Sequence, residues 1–483
     1  MPKNLKLSKN SLLYWLVCVL AFMPFIFVQA QQIQEPDWVK KVGATKSPNK
    51  KTIYVVNDFG AKADSNFLST SAIQKAIDAC SKKGGGIVSF KPGFYQMGAI
   101  FLKEGVCLRI SEGVTILGST NFADYPEMDS RIAGIEMRWP SALINIIKQK
   151  NVSIEGKGIV NARGKFCWDK YWSMRREYEP KGLRWNVDYD AKRVRTILVQ
   201  ESEDITLSQI TLKNAGFWTV QILYSKKITV DGLTVKNNED GKGPSTDGID
   251  VDSSTWVLIQ NCDIDCNDDD FCLKSGRDWD GLRVNRPTEY VVIQNCIARK
   301  GGGLLTLGSE TSGSIRHVVA KNLKGYGTGN GLHIKSAVTR GGIVEDIWFK
   351  DIELDGVGNV FQFNMNWNPS YSYSTLPKGY NYDSIPEHWK KLLHKNDPIE
   401  KGIPTFRNIH VSNVKAINSK RLVTATGLNE STLGGFYFDN LTIGVETLGD
   451  IKFANNWVFK NTKMEATDGK VLNIQNSKDI KVN

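Results

Sequence analysis

Histidine is scarce in this chain: five residues in 483, with no Cys-x-x-Cys pair beside them. That combination excludes the common zinc frameworks. Cysteine is sparse too, eight in all, and seven if residues 1–30 are removed. An odd, thinly spread set is not a disulfide scaffold. Buried thiols are the expectation, with room for one or two bridges. No Lys/Arg-rich run is present, although the formal net charge is +11. A nucleic-acid partner is therefore not expected. A basic surface without such runs suits an acidic polysaccharide, or serves solubility alone. Beyond Val28 no apolar stretch is long enough to cross a bilayer. Neither a metal nor an organic cofactor is expected.

The N-terminus carries what the rest lacks. Lys3, Lys6 and Lys9 precede an apolar run from Leu12 to Val28, and Val28-Gln29-Ala30 offers small residues before Gln31. This pattern predicts a signal peptide over residues 1–30 and an exported protein, periplasmic or extracellular. An uncleaved anchor is the rival reading, but the run is about the minimum for a span and contains Pro24. Cleavage would remove three lysines and no acid, lowering the net charge from +11 to +8. Residues 31–50 then read as a linker and 51–483 as one domain, monomeric and free of the membrane.

Most of that domain repeats a short pattern of alternating apolar residues, often with Asn, Asp or Gly in the middle. Copies begin at Val152, Ile205, Ile228, Val257, Val291, Val318, Ile347, Ile409 and Phe436. Alternation marks short strands with one buried face, and the central Asn/Asp/Gly marks a turn. Repeats two to three dozen residues apart indicate stacked coils, and propellers keep a longer, steadier period. The expectation is an all-β parallel β-helix whose apolar positions fill its interior. The doubled step between Ile347 and Ile409 implies an insertion or an unrecognised coil. A helix is predicted over 69–82, with Ala72, Ile73, Ala76, Ile77 and Ala79 apolar, as a cap on the open end.

Two segments break the rhythm. Residues 165–195 hold Trp168, Tyr171, Trp172, Tyr178, Trp185 and Tyr189 among Arg175, Arg176, Arg184 and Arg193. Residues 364–405 hold Trp367, Tyr371, Tyr373, Tyr380, Tyr382 and Trp389. Such rings stack on sugars and arginines clasp carboxylates, or the rings merely pin the loops to the solenoid.

Two aspartate clusters about twenty residues apart hold six carboxylates: Asp247, Asp250 and Asp252, then Asp268, Asp269 and Asp270. Acids this close cannot all ionise easily, so some should have raised pKa values and suit paired acid and base work. Neighbours in a regular strand face opposite ways, so Asp268 and Asp269 can share a cleft only if a bend re-aims one of them. Asp250 and Asp252 share a face.

Read with their flanks, these clusters resemble glycoside hydrolase family 28, the polygalacturonases and rhamnogalacturonan hydrolases. Asp58-Phe59-Gly60-Ala61, Pro92-Gly93-Phe94-Tyr95, Asn214-Ala215-Gly216-Phe217-Trp218 and Gly308-Ser309-Glu310 also match, in family order. The resemblance implies a right-handed parallel β-helix and an inverting hydrolase. It makes Asp268 the general acid and has Asp247 and Asp269 activate water. It also implies substrate binding by Lys274, Arg277, Gly302, His333 and Lys335. Two departures stand out: Gly302 occupies the family's histidine position, and His333 the position of an arginine that clasps a galacturonate carboxylate. The altered clasp, with aromatic insertions able to wall off one end of the cleft, predicts an exo-acting galacturonidase on rhamnogalacturonan or pectin oligosaccharides. An endo-polygalacturonase, a calcium-dependent β-helix lyase and a non-catalytic binder are the alternatives.

Overall fold

The computed structural model describes residues 35–239 and 242–482. The expected signal segment, residues 1–30, lies outside the described residues. The unit Trp38–Asn483 is a β-helix. Its large sheet is built from parallel pairs, and an antiparallel hairpin, Glu127–Ile132 with Ile135–Pro140, stands apart from it.

The repeat positions stack one above another. Val152 pairs with Ile205, then Ile228, Val257, Val291, Val318, Ile347, Ile409 and Phe436 follow in register. All nine are fully buried. Each contributes to one continuous apolar column, which is how a solenoid builds a core from repeats that cannot bury their own faces. Ile347 pairs directly with Ile409, so the doubled step is an insertion between adjacent coils.

In six of the repeats the central Asn or Asp is a corner. Asn261, Asn295, Asn322, Asp351, Asn413 and Asn440 all have φ between 51° and 58°. Asn and Asp tolerate this left-handed region better than other residues with a Cβ, because a short polar side chain bonds locally. The corner amides also link the coils: Asn322 donates to Asn295 at 2.7 Å and Asn440 to Asn413 at 2.8 Å.

The predicted helix spans Thr70–Lys82 and buries Ala72, Ile73, Ala76 and Ile77 against the first coils. Part of the segment expected to be a linker is docked instead. The backbone N–H of Gly43 donates to Trp256 O, that of Ala44 to Thr229 Oγ1 and that of Thr45 to Asp204, while Val39 packs on Val292 and Val319. Apolar Val39 and Val42 are the physical reason, since they find an apolar stripe on the outer face. The seven described cysteines are buried free thiols. Among the described residues, no helix is long and apolar enough to cross a membrane.

Candidate active site

One row of strands carries the carboxylates: Val220–Leu223, Ile249–Asp252, Phe271–Lys274, Leu305–Leu307 and Asn330–Lys335. Their inward residues fill the core. Their outward residues form a column, Gln221, Asp250, Cys272, Thr306 and His333 in register. Asp247 and Asp269 sit just before two of these strands. The Gly248 N–H donates to Asp269 O at 3.0 Å, and the Gly302 N–H donates to Asp268 O at 2.7 Å. The residues the sequence spreads over 247–335 are therefore side by side on consecutive coils. Gly248 permits the approach: a Cβ there would lie 2.4 Å from Asp270 O.

The expected bend is present. Residues 267–270 leave the regular strand between Asp263–Cys266 and Phe271–Lys274. Asp268 and Asp269 thus reach the same small cavity, of about 90 Å3, with Asp247, Lys274, Glu310 and Lys335. A larger cavity of about 770 Å3 is lined by Glu127, Asp129, Glu136, Asp190, Glu201 and Glu387 among others. Arg138, Lys192 and Lys391 line it too, so charge balance does not separate the two cavities; the smaller one is set apart by holding Asp247, Asp268 and Asp269 together.

The electrostatics separate the acids. Burial, together with the charges of Asp247 and Asp269, pushes Asp268 up to about 8. Burial also acts on Asp269, but the Lys335 ammonium at 2.8 Å outweighs it and holds that carboxylate at about 2. Thr306 donates to the other oxygen of Asp269 at 2.7 Å. Burial raises Asp247 above the ordinary range, partly offset by Lys274 at 3.4 Å, and its Oδ1 has no partner. Asp250 is raised well above its ordinary value by burial and by Asp247. The site therefore places a protonated carboxyl beside an ionised one, the state needed for acid and base work in a single turnover.

The oxygens of Asp247 and Asp269 and the thiol of Cys272 lie within 4.8 Å of one another, a set able to hold a metal ion. Lys335 and Lys274 already face those carboxylates, and their charges oppose a divalent cation there. Lys274 also lies 3.4 Å from Asp250 and 3.7 Å from Glu310, above the Trp218 ring.

Of the residues the sequence assigns to binding, Lys274 and Lys335 line the cavity. Gly302 lies at its edge, where a Cβ would come 3.0 Å from Asp269 Oδ1. His333 is 4% exposed, its Nδ1 near Asn330 at 3.5 Å and its Nε2 unpartnered. Burial and Lys335 lower it to about 3, so its ring is neutral.

Arg277 is elsewhere and corrects the sequence expectation. Its guanidinium is fully buried and donates to Tyr189 Oη, Tyr371 O, Ser372 O and Asp278. Its backbone N–H donates to Gly134 O at the hairpin tip. Four of its five N–H donors are taken by protein and the side chain is shut away from solvent, so it ties three walls together rather than meeting a ligand.

Those walls are the hairpin and the two insertions. The first folds as helices Lys165–Tyr178 and Val187–Asp190, the second as Pro369–Ser372 and Glu387–Leu393. Trp185 and Trp389 meet edge-on at 5.5 Å within one apolar cluster that also holds Tyr189. Most rings of the insertions thus interlock. Trp367 and Tyr371 reach the cavity, with Arg184 and Asp188 from the first insertion and Ala133 from the hairpin. Sequence reasoning assigned no role to Thr306 or Glu310. Only stacking on Asp269 and Lys274 reveals them.

A family model described as "Glycosyl hydrolases family 28" matches residues 88–377. A probable polygalacturonase of Vitis vinifera is 28% identical over 377 residues, spanning 74% of this chain and 72% of that protein. An exo-poly-alpha-D-galacturonosidase of Dickeya chrysanthemi is 24% identical over 463 residues, spanning 86% and 74%. In fold, the chain is similar to a hyperthermoactive exopolygalacturonase from Thermotoga maritima: TM-score 0.71, 23% identity, 88% of this chain and 94% of that one.

Proposed function

The chain belongs to glycosyl hydrolases family 28 and is a glycoside hydrolase, and we propose that it releases galacturonic acid from the ends of pectic chains with inversion. The observation that carries this reading is the pairing of a protonated Asp268 with an ionised Asp269 in a cavity walled by both insertions. Asp268 protonates the glycosidic oxygen. Asp247, with its unpartnered Oδ1, takes the proton of the attacking water, and Asp269 orients that water from the Lys335 ion pair. Inverting enzymes use two carboxyls on opposite sides of the bond, with water between base and sugar. Lys274 and Lys335 border the sugar, and Gly302 and His333 lie behind the cavity lining. Walls contributed by the hairpin and both insertions favour a chain end over a chain interior. The relatives named for exo-action support the same reading.

The test is the product profile. Homogalacturonan, rhamnogalacturonan and their oligosaccharides are each incubated with the enzyme, with and without chelator. Free saturated galacturonic acid should be the sole early product, with chelator without effect. Early mixed oligomers mean endo-action, and unsaturated calcium-dependent products mean a lyase. The protein is exported on this reading, with Gln31 as the mature N-terminus; sequencing the exported form for any other start refutes that cleavage site.

The pH profile of kcat/KM should be a bell. Asp268 must be protonated, so activity falls as pH rises through about 8. Asp247 must be ionised, and its raised pKa puts the acidic limb above the ordinary aspartate range. In Lys335→Met, Asp269 loses the ammonium that keeps it ionised. Its pKa rises, and because Lys335 also lowers Asp247 and Asp268, both limbs should move to higher pH. An acidic limb unmoved in Lys335→Met separates Asp269 from the reaction.

A further inference from the structure

Five carboxylates line the cavity, Asp188, Asp247, Asp268, Asp269 and Glu310, against three cations, Arg184, Lys274 and Lys335. An anionic sugar entering this field needs a cation whose charge is not already committed. Lys335 is committed to Asp269, and Lys274 is shared among Asp247, Asp250 and Glu310. His333 is neutral and cannot form an ion pair.

Arg184 differs from both lysines. Its Nη1 donates to Asp188 at 2.9 Å and its Nε lies 3.7 Å from Glu179. Its Nη2 makes no hydrogen bond among the described residues. The guanidinium lies 5.1 Å from the centre of the Tyr371 ring, and its side chain is 14% exposed. Asp188 is held by a second cation as well, Arg193 at 2.7 Å, and accepts from Ser245 at 3.3 Å. Glu179 is likewise held by Arg175 at 2.7 Å, so three guanidiniums face two carboxylates and one positive charge is left for a ligand. Held by Asp188 and resting on a ring, the planar fork is fixed before substrate arrives, which lowers the entropy lost on binding.

We propose that Arg184 binds the carboxylate of the galacturonate ring held in the cavity, and so sets the preference for a uronate over a neutral hexose. The inference rests on the reading of the cavity as a galacturonidase site. It gives the first insertion a chemical role: a specificity-determining arginine supplied from outside the β-helix.

The test compares wild type with Arg184→Gln and Arg184→Lys on trigalacturonate and on the same trimer with its non-reducing-end carboxylate reduced to an alcohol. A lost charge-assisted contact should raise KM for trigalacturonate about tenfold to a hundredfold, with kcat little changed. The reduced trimer should be unaffected by Arg184→Gln, and Arg184→Lys should recover part of the loss. An unchanged KM, or an equal loss on both trimers, overturns the proposal; the latter marks a structural role. If Arg184→Gln fails to fold, Arg184→Lys alone must raise KM selectively for trigalacturonate. Calorimetry on trigalacturonate with Asp268→Asn, alone and combined with Arg184→Gln, separates this inference from the reaction. Binding lost on adding Arg184→Gln, with wild type unable to cleave the trimer, refutes the hydrolytic reading but keeps the role of Arg184. No binding to Asp268→Asn refutes both.

Discussion

Asp268→Asn should lose at least about a thousandfold in turnover and keep its fold. General acid catalysis contributes roughly 10²–10⁴-fold in typical enzymes, and a poor sugar leaving group needs its proton in the transition state. Asp268 is suited to supply it because burial and two neighbouring carboxylates keep it protonated to about pH 8. The amide is nearly isosteric and neutral, as the protonated acid is, so nothing nearby loses an ionic partner. The Asp269 N–H to Asp268 Oδ1 bond, at 3.0 Å, has an acceptor in Asn as well. Turnover is measured by release of reducing ends, and folding by thermal melting and near-ultraviolet circular dichroism. An active Asp268→Asn enzyme would falsify the assignment of the acid. Full loss of activity with a collapsed melting temperature would assign the residue to folding.

Arg277→Met should loosen the walls of the cavity and leave the β-helix standing. The substitution keeps much of the apolar stem but removes every donor. Two carbonyls, Tyr371 O and Ser372 O, lose their partner in a buried place, while the Tyr189 hydroxyl keeps its bond to Ala133 O. Asp278 keeps Arg340 and Thr339, so its charge is not stranded. Orphaned buried groups each cost about 1–3 kcal/mol, so together about 2 kcal/mol or more of local stability is lost. Because the hairpin and both insertions meet at this side chain, kcat/KM should fall about a hundredfold. Limited proteolysis should cut within residues 165–190 and 369–402 before the solenoid yields. Cleavage kinetics and kcat/KM both equal to wild type would mean that the walls hold without the guanidinium.

These two residues mark where sequence reasoning succeeds and where it stops. Asp268 stood out because the acids are clustered in the chain and lie in a run polar enough to be a turn; its role as the acid came from the resemblance. Lys335 was legible by resemblance, and the stacked repeats put it near Asp269. Arg277 looked like a ligand because it follows the cluster closely. Its partners, Tyr189 and Tyr371, come from insertions far away in sequence, and no local pattern reports that they converge on it. Arg184 was hidden for the converse reason: it sits among several arginines of one aromatic segment, and only packing against Asp188 and Tyr371 distinguishes it.

The repeat itself needs no tertiary information. A period-two apolar pattern with left-handed-tolerant Asn or Asp at the corners permits few structures besides a stacked coil, since each coil can bury its apolar face only against its neighbours. The family and the class of chemistry come instead from the resemblance that the aspartate clusters and their flanking motifs carry. What the tertiary structure alone decided is which charges are spent. Lys335 on Asp269, Lys274 among three acids and Arg277 among three walls are pairings across different coils and insertions. Coulomb energy in a buried site depends on distances of a few ångströms, and sequence spacing does not encode them.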